Sequence, residues 1–343
     1  MNALAPVMID LEGASVGADE RSRLRDSRVG GVILFARNYQ DPPQLRALVA
    51  EIRAVRTQGL LIAVDHEGGR VQRFRAGFSA LPAPARLGEL LRRDAAAAVQ
   101  AARDLGLVMG WELRACGIDF SFAPVLDLDY GRSAVIGSRA LSSDPLAVAT
   151  LAGALLDGLA VAGCAAVGKH FPGHGHVAAD SHAELPCDPR PFSALQDADL
   201  LPFARLAQRL GGIMPAHVVY PQCAPEPAGF SPFWLQHVLR GQLGFAGAIF
   251  SDDLSMGGAA SAGGPAERAR QAFAAGCDMV MLCNDPDGAQ TLLDGLGMPA
   301  LAAAAAGRLA ALRAQAGAAG EADYCLALQR LDALRLDGWS ARP

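Results

Sequence analysis

Eight compact apolar runs punctuate the chain, and each ends in polar or charged residues. They read PVMIDLEG (6–13), GGVILFARN (30–38), LLIAVDHEGG (60–69), IDFSFAPVLDLD (118–129), AAVGKHFPGHG (165–175), GGIMPAHVVY (211–220), GAIFSDDLSM (247–256) and DMVMLCND (278–285). Runs that stay apolar without alternation suit strands buried on both faces, as in a parallel sheet. Amphipathic stretches such as PQLRALVAEIRAVR, DPLAVATLAGALLDGLAVAG and PAERARQAFAAGC separate them and carry helix punctuation at their ends. Eight strand–helix repeats in one chain predict an α/β fold, a single (β/α)8 barrel over residues 1–343. A doubly wound sheet would need fewer strands and ordinarily a Gly-rich phosphate turn, yet no GxGxxG or GxxxxGKS stands at a strand-to-helix junction. After residue 286 the chain turns Ala-rich, which favours helix. The eighth barrel helix and a helical C-terminal extension over about 298–335 are expected there, with GAAGE at 317–321 as a break.

The polar strand ends sharpen this. Asp10 and Glu12, Arg37 and Asn38, Asp65 and Glu67, Asp127 and Asp129 close the first four runs; Lys169 and His170, His217, Asp252 and Asp253, Asn284 and Asp285 close the rest. In barrel enzymes the reacting groups sit at the C-terminal ends of the strands, so these residues are expected to meet around one mouth. Strand ends border water and are polar anyway. Eight of eight ending in ionisable or amide groups nonetheless favours a site.

Composition narrows the partners. Hydrophobic residues make up 51% and charged ones 19%, with a net charge of −5, so there is ample core and no basic surplus for nucleic acid or an anionic membrane. Aromatics are only 6%, too few for a stacking platform. No apolar run is expected to reach membrane-spanning length. The start, MNALAPVMIDLEG, lacks the basic and apolar regions of a signal peptide. Seven scattered cysteines without a CxxC pair read as buried thiols in a reducing compartment, which sets cytoplasmic location as the expectation.

The densest chemistry lies in KHFPGHGHVAADSH, positions 169–182, with four of the seven histidines. A metal reading rests on His174 and His176. That HxH pattern follows Pro172 and Gly173 and is broken by Gly175, so it falls on a loop, a poor template for fixed metal geometry. A phosphate reading of PGHGH lacks a helix N-terminus close behind. Glycoside hydrolysis needs a carboxylate beside the anomeric carbon and a second group to move a proton. Asp252, at the end of its strand, suits the first role. His182 can fill the second, with Asp180 accepting its ring N–H. Taken alone, Asp180-Ser181-His182 also reads as an Asx-turn or helix cap. Gly173 and Gly175 are expected to let the segment swing.

KHFPGHG followed by DSH, and later IFSDDLSM, resemble the cytoplasmic β-N-acetylhexosaminidases of glycoside hydrolase family three, in particular the single-barrel bacterial branch of peptidoglycan recycling. GGVILFARNYQDPPQL, AVDHEGGRVQRF, DFSFAPVLDL, IGSRALSSDP, IMPAHVVYP and AGCDMVML extend the likeness in the same order over roughly residues 6–285. The resemblance implies that Asp252 is a nucleophile forming a glycosyl-enzyme, that Asp253 turns away to support the site, and that His182, tuned by Asp180, is the acid/base. It implies further that Asp65, Arg73, Arg139, Lys169 and His170 hold the hydroxyls and acetamido group of the sugar, with Arg37 and Arg75 as lower-ranked alternatives. His174 and His176 match no catalytic position and are expected to be loop and packing groups. The implied activity is exo-acting, retaining removal of terminal β-linked N-acetylglucosamine, without cofactor or metal. The implied substrate is the muropeptide disaccharide ending in anhydro-N-acetylmuramic acid and its peptides, handled by a monomer with no nucleic-acid or membrane partner. Two other readings stay open: a metal-dependent amidohydrolase using His170, His174 and His176, and a non-catalytic sugar-binding barrel or sugar phosphorylase.

Overall fold

The computed structural model describes residues 4–56, 59–178, 185–297 and 303–342. Eight parallel strands form a closed barrel: Val7–Asp10 (β1), Val29–Leu34 (β2), Leu61–Val64 (β3), Phe120–Ser121 (β4), Ala165–Phe171 (β5), Gly212–Pro215 (β6), Ala248–Asp253 (β7) and Met279–Leu282 (β8). Each pairs with its neighbour in the chain, and β1 closes on β8 with Val7 opposite Val280 and Met8 opposite Met281. Alternate side chains of one strand point to opposite faces. Accordingly Met8, Leu61, Ala63, Met279 and Met281 fill the barrel, while Val7, Ile9, Ile62, Val64, Val280 and Leu282 pack outward on the helices. Both faces are therefore apolar, which is why the runs read without alternation. Phe122 stands edge-on to Phe120 and to Phe250 at 5.2 Å, so the interior is a packed core.

A helix follows every strand: Ala18–Arg25, Pro42–Ala54, Ala95–Ala115, Pro145–Ala162, Leu200–Leu206, Phe233–Gln242 (π-helical), Pro265–Ala275 and Pro286–Leu296. Several starts are written in the sequence. Asp41, Asp94, Asp144 and Asp285 each accept a backbone N–H of the first turn, caps worth about 1 kcal/mol apiece. Beyond the eighth helix, Ala303–Ala310 carries Leu309 into the interior cluster at the barrel base. Glu321–Leu334 then lies on Ala95–Ala115, with Tyr324 stacked on Trp111 at 5.4 Å.

Two expectations need correction. The run 118–129 forms a regular strand at Phe120–Ser121 and then, past Pro124, which has no N–H to give the ladder, rejoins its neighbour through an isolated bridge of Val125 with Lys169, where the Leu126 N–H reaches the Lys169 C=O at 2.6 Å. Pro145–Ala162 is, by length and composition, apolar enough to cross a membrane, with 18 residues and a mean hydropathy of 1.8. Just over half of it, 56%, is instead buried inside the protein, chiefly against Ala95–Ala115. Glycines let the two backbones touch: a Cβ at Gly158 would fall 2.0 Å from the Arg103 carbonyl oxygen, and one at Gly106 would fall 2.2 Å from that of Leu155.

Candidate active site

Asp65 and Glu67 follow β3 two residues apart and face the same way, and Lys169, near the end of β5, comes between them. Its Nζ lies 2.6 Å from Asp65 Oδ1 and 2.6 Å from Glu67 Oε1, with only 3% of the side chain exposed. Arg139, in the turn Gly137–Arg139 before the fourth helix, grips Glu67 with Nε and a terminal nitrogen, both at 2.8 Å. Arg73 reaches Asp65 at 3.5 Å. Charges this buried persist only when paired. Burial pushes the Asp65 and Glu67 carboxyls up, but Lys169 above all, with Arg73 and Arg139, outweighs it, and both lie below the usual carboxylate range. Burial likewise lowers Lys169, yet the two carboxylates raise it overall, so it stays an ammonium.

His170 sits beside this network. Its Nδ1 lies 2.6 Å from Asp127 Oδ2, which fixes the ring; Asp127 also accepts the His174 N–H at 2.6 Å. Burial raises the Asp127 carboxyl, but His170 outweighs it and holds it low.

The end of β7 supplies two adjacent carboxylates with different surroundings. Asp252 faces the cavity and takes the Asp253 backbone N–H on Oδ1 at 2.8 Å. Its second oxygen has no hydrogen bond among the described residues. Asp253 is held by three donors, Ser255 N–H at 2.9 Å, Ser255 Oγ at 2.8 Å and Cys283 N–H at 3.0 Å. Burial still pushes its carboxyl up to about 6.

These groups line one cavity of about 570 Å³, where Asp65, Arg73, Arg139, Lys169, His170 and Asp252 all meet. Phe35, Met214, Met256 and Met281 give it apolar walls, a mixture suited to the polar edges and apolar faces of a sugar ring. Arg37 instead bonds Asp10 and Asn284, and Arg75 bonds the Gly69 carbonyl; neither lines the cavity. Asp180 and His182 lie outside the described residues. Sequence reasoning placed Glu67 and Asp127 at strand ends without seeing what they do. The Asp-x-Glu spacing of 65 and 67 was the available signal for the first; the second pairs across 43 residues with no local cue.

Gly173 and Gly175 sit against neighbouring chain with no room for a side chain. A Cβ at Gly175 would lie 1.8 Å from the Leu128 carbonyl oxygen, and one at Gly173 would lie 2.7 Å from Asp199 Oδ1. Tyr220 further holds the Gly173 carbonyl at 2.6 Å. Glycine serves close packing at both positions in this structure. His176 faces Asp188 at 3.6 Å and Arg132 at 3.3 Å, off the cavity wall, so His170, His174 and His176 do not converge on one point.

Carboxylates and cations gather at the mouth of a closed (β/α)8 barrel, where barrel enzymes carry their reacting groups. The N-terminal domain of glycosyl hydrolase family 3 matches residues 7–310, and the chain belongs to that family. It is 55% identical over 318 residues to a beta-hexosaminidase of Aromatoleum aromaticum, covering 92% of this chain and 89% of that one. Among solved structures it is similar to native NagZ from Neisseria gonorrhoeae, with a TM-score of 0.90, 48% identity, and 97% and 98% of the two chains covered. The same Neisseria protein in complex with N-trifluoroacetyl-D-glucosamine gives 0.87 and 49%, over 95% of this chain and 94% of that one.

Proposed function

We propose that this chain removes terminal, non-reducing β-linked N-acetylglucosamine by a retaining double displacement. Glycoside hydrolysis by a β-hexosaminidase rests on family membership and on 55% identity across nearly the whole length. The observation that carries the finer reading is Asp252: one oxygen is fixed by a backbone N–H and the other has no hydrogen bond among the described residues, in a cavity also lined by a paired ammonium and guanidinium.

Asp252 attacks the anomeric carbon while the leaving oxygen takes a proton from His182, giving a glycosyl ester. Water, deprotonated by the same histidine, then releases the sugar with its configuration retained. Asp180 steadies the imidazolium. Asp65 accepts from vicinal hydroxyls, and Lys169, Arg73, Arg139 and His170 supply donors to hydroxyls and the acetamido group. The substrate is the disaccharide of N-acetylglucosamine and anhydro-N-acetylmuramic acid with its peptides, from cell-wall recycling in the cytoplasm. There the buried thiols of Cys116, Cys164, Cys277 and Cys283 remain reduced.

The test is proton NMR of the first product formed from a chromogenic β-N-acetylglucosaminide. The β-anomer is expected; initial release of the α-anomer overturns the double displacement.

A further inference from the structure

The chain runs on past residue 310, where the match to the family domain ends, and returns to the loop that carries Arg73. Ser340 pairs antiparallel with Ala80, with N–H···O=C bonds of 2.7 and 3.1 Å, and the Arg342 N–H reaches Ser79 Oγ at 3.0 Å. Ser79 in turn gives its N–H and hydroxyl to Glu112, at 2.9 and 2.7 Å. The same carboxylate takes the Tyr324 hydroxyl from the C-terminal helix at 2.8 Å. Ser79 is fully buried and Glu112 is 3% exposed, so these bonds form in a dry setting where each is strong.

The loop passes that hold to Arg73. Gln72, the preceding residue, gives its side-chain amide to the Ser79 carbonyl at 2.8 Å and takes the Leu81 N–H at 2.9 Å. Arg73 itself is thinly held. Among the described residues its contacts are the 3.5 Å approach to Asp65 and the Phe35 ring 5.6 Å from the guanidinium carbon, and its buried Nε has no hydrogen-bond partner there. Its place on the cavity wall is therefore set by the backbone that carries it.

We propose that the C-terminal strap at Ser340–Arg342 is a positioning element for Arg73: it touches no substrate, and holds the loop 72–81 so that the guanidinium meets the sugar. This rests on Arg73 binding the sugar, as proposed above.

A chain ending at Trp339 should show KM for a chromogenic β-N-acetylglucosaminide raised about fivefold to tenfold with kcat within about twofold, the mark of lost uniform binding. Ser340→Pro, which removes one of the paired N–H groups, should give a smaller rise of the same kind. Arg342→Ala keeps the backbone bond to Ser79 but loses the side chain's 3.9 Å approach to Glu112 and its place over the Tyr324 ring, so it should raise KM less than the shortened chain does. In an Arg73→Ala background, where KM is already high, the shortened chain should add nothing, because the two changes act through one group. Additive effects overturn the proposal, as does a fall in kcat and melting temperature with KM unchanged. If Arg73→Ala alone leaves KM untouched, the sugar-binding role of Arg73 fails and the strap proposal falls with it, an outcome distinct from any the tail variants produce.

Discussion

At the base of the barrel Asp119 and Asp278 each stand just before a strand. Asp119 accepts the Ile62 N–H at 2.8 Å, the Ala314 N–H at 3.2 Å and Arg53 at 3.1 and 3.2 Å. Asp278 takes the Ile249 N–H at 2.9 Å, with Arg240 at 3.0 Å and Arg308 at 2.9 Å. Their oxygens are saturated by neighbouring strands and by arginines from the outer layer, so these carboxylates bind the barrel to itself. At the mouth the same residue types are joined differently. Lys169 bridges Asp65 and Glu67 along an open cavity wall, and Asp252 keeps an oxygen there with no hydrogen bond among the described residues. Paired charge is architecture where backbone donors complete it, and a site where something outside the chain must.

The largest test of that contrast is Asp252→Ala. It should reduce turnover on the order of a thousandfold or more, while a thermal melt stays close to the parent, because no strand is clipped by this carboxylate. Retained turnover would break the contrast at its centre. Asp278→Ala should do the opposite: it strands two arginines and a strand N–H, and should cost about 3–5 kcal/mol in denaturant titration with kcat/KM of the folded fraction unchanged. Lys169→Ala should lower both, since the buried carboxylates of Asp65 and Glu67 lose the ammonium between them and keep only Arg73 and Arg139 as counter-charges; intact stability there would show that the mouth network is dispensable to folding. Gly175→Ala should lose about 1–3 kcal/mol through overpacking against Leu128, and an unchanged melting temperature would return the segment to the status of a hinge.

A further effect is one of pH. Burial raises the Asp253 carboxyl from 3.8 to about 6 in the folded chain, so the folded state binds this proton more tightly than the unfolded state does. The resulting stability is fully present below pH 3.8 and is lost as pH rises through about 6. Asp253→Asn should remove that part of the slope, gaining on the parent as pH increases across the window. Denaturant titrations at several pH values check it; parallel curves for the two proteins would mean that Asp253 titrates as an ordinary carboxylate.

The strands were legible because burial on both faces leaves a continuous apolar run, and the polar residue at its end marks the mouth. Asp65, Lys169, His170 and Asp252 could be found that way. Arg73 and Arg139 sit on connecting segments with no period, and only the likeness of whole motifs pointed to them. Glu67 was visible as a strand end, but its bond to Arg139 spans 72 residues and has no local trace. Gly173 and Gly175 show the general limit. A sequence records that a Cβ is missing, and glycine then suggests freedom; only packing reveals the carbonyl of Leu128 where the Cβ would be. Pro145–Ala162 was legible as a helix, but its membrane-like apolarity was not, because Asp157 and the small residues broke the run to the eye while the packed helix beside it set how much is covered.

Closure of β1 on β8 has a consequence for how the protein is made. Val7 meets Val280, so the first strand to leave the ribosome waits for almost the last to be translated, on the order of tens of seconds at ordinary elongation rates. Until Met279–Leu282 emerges, the outer edge of β1 offers unpaired N–H and C=O groups to any extended chain nearby. Such a barrel meets its greatest aggregation hazard before birth is complete, and a nascent chain stalled short of residue 279 is the form that chaperones must recognise.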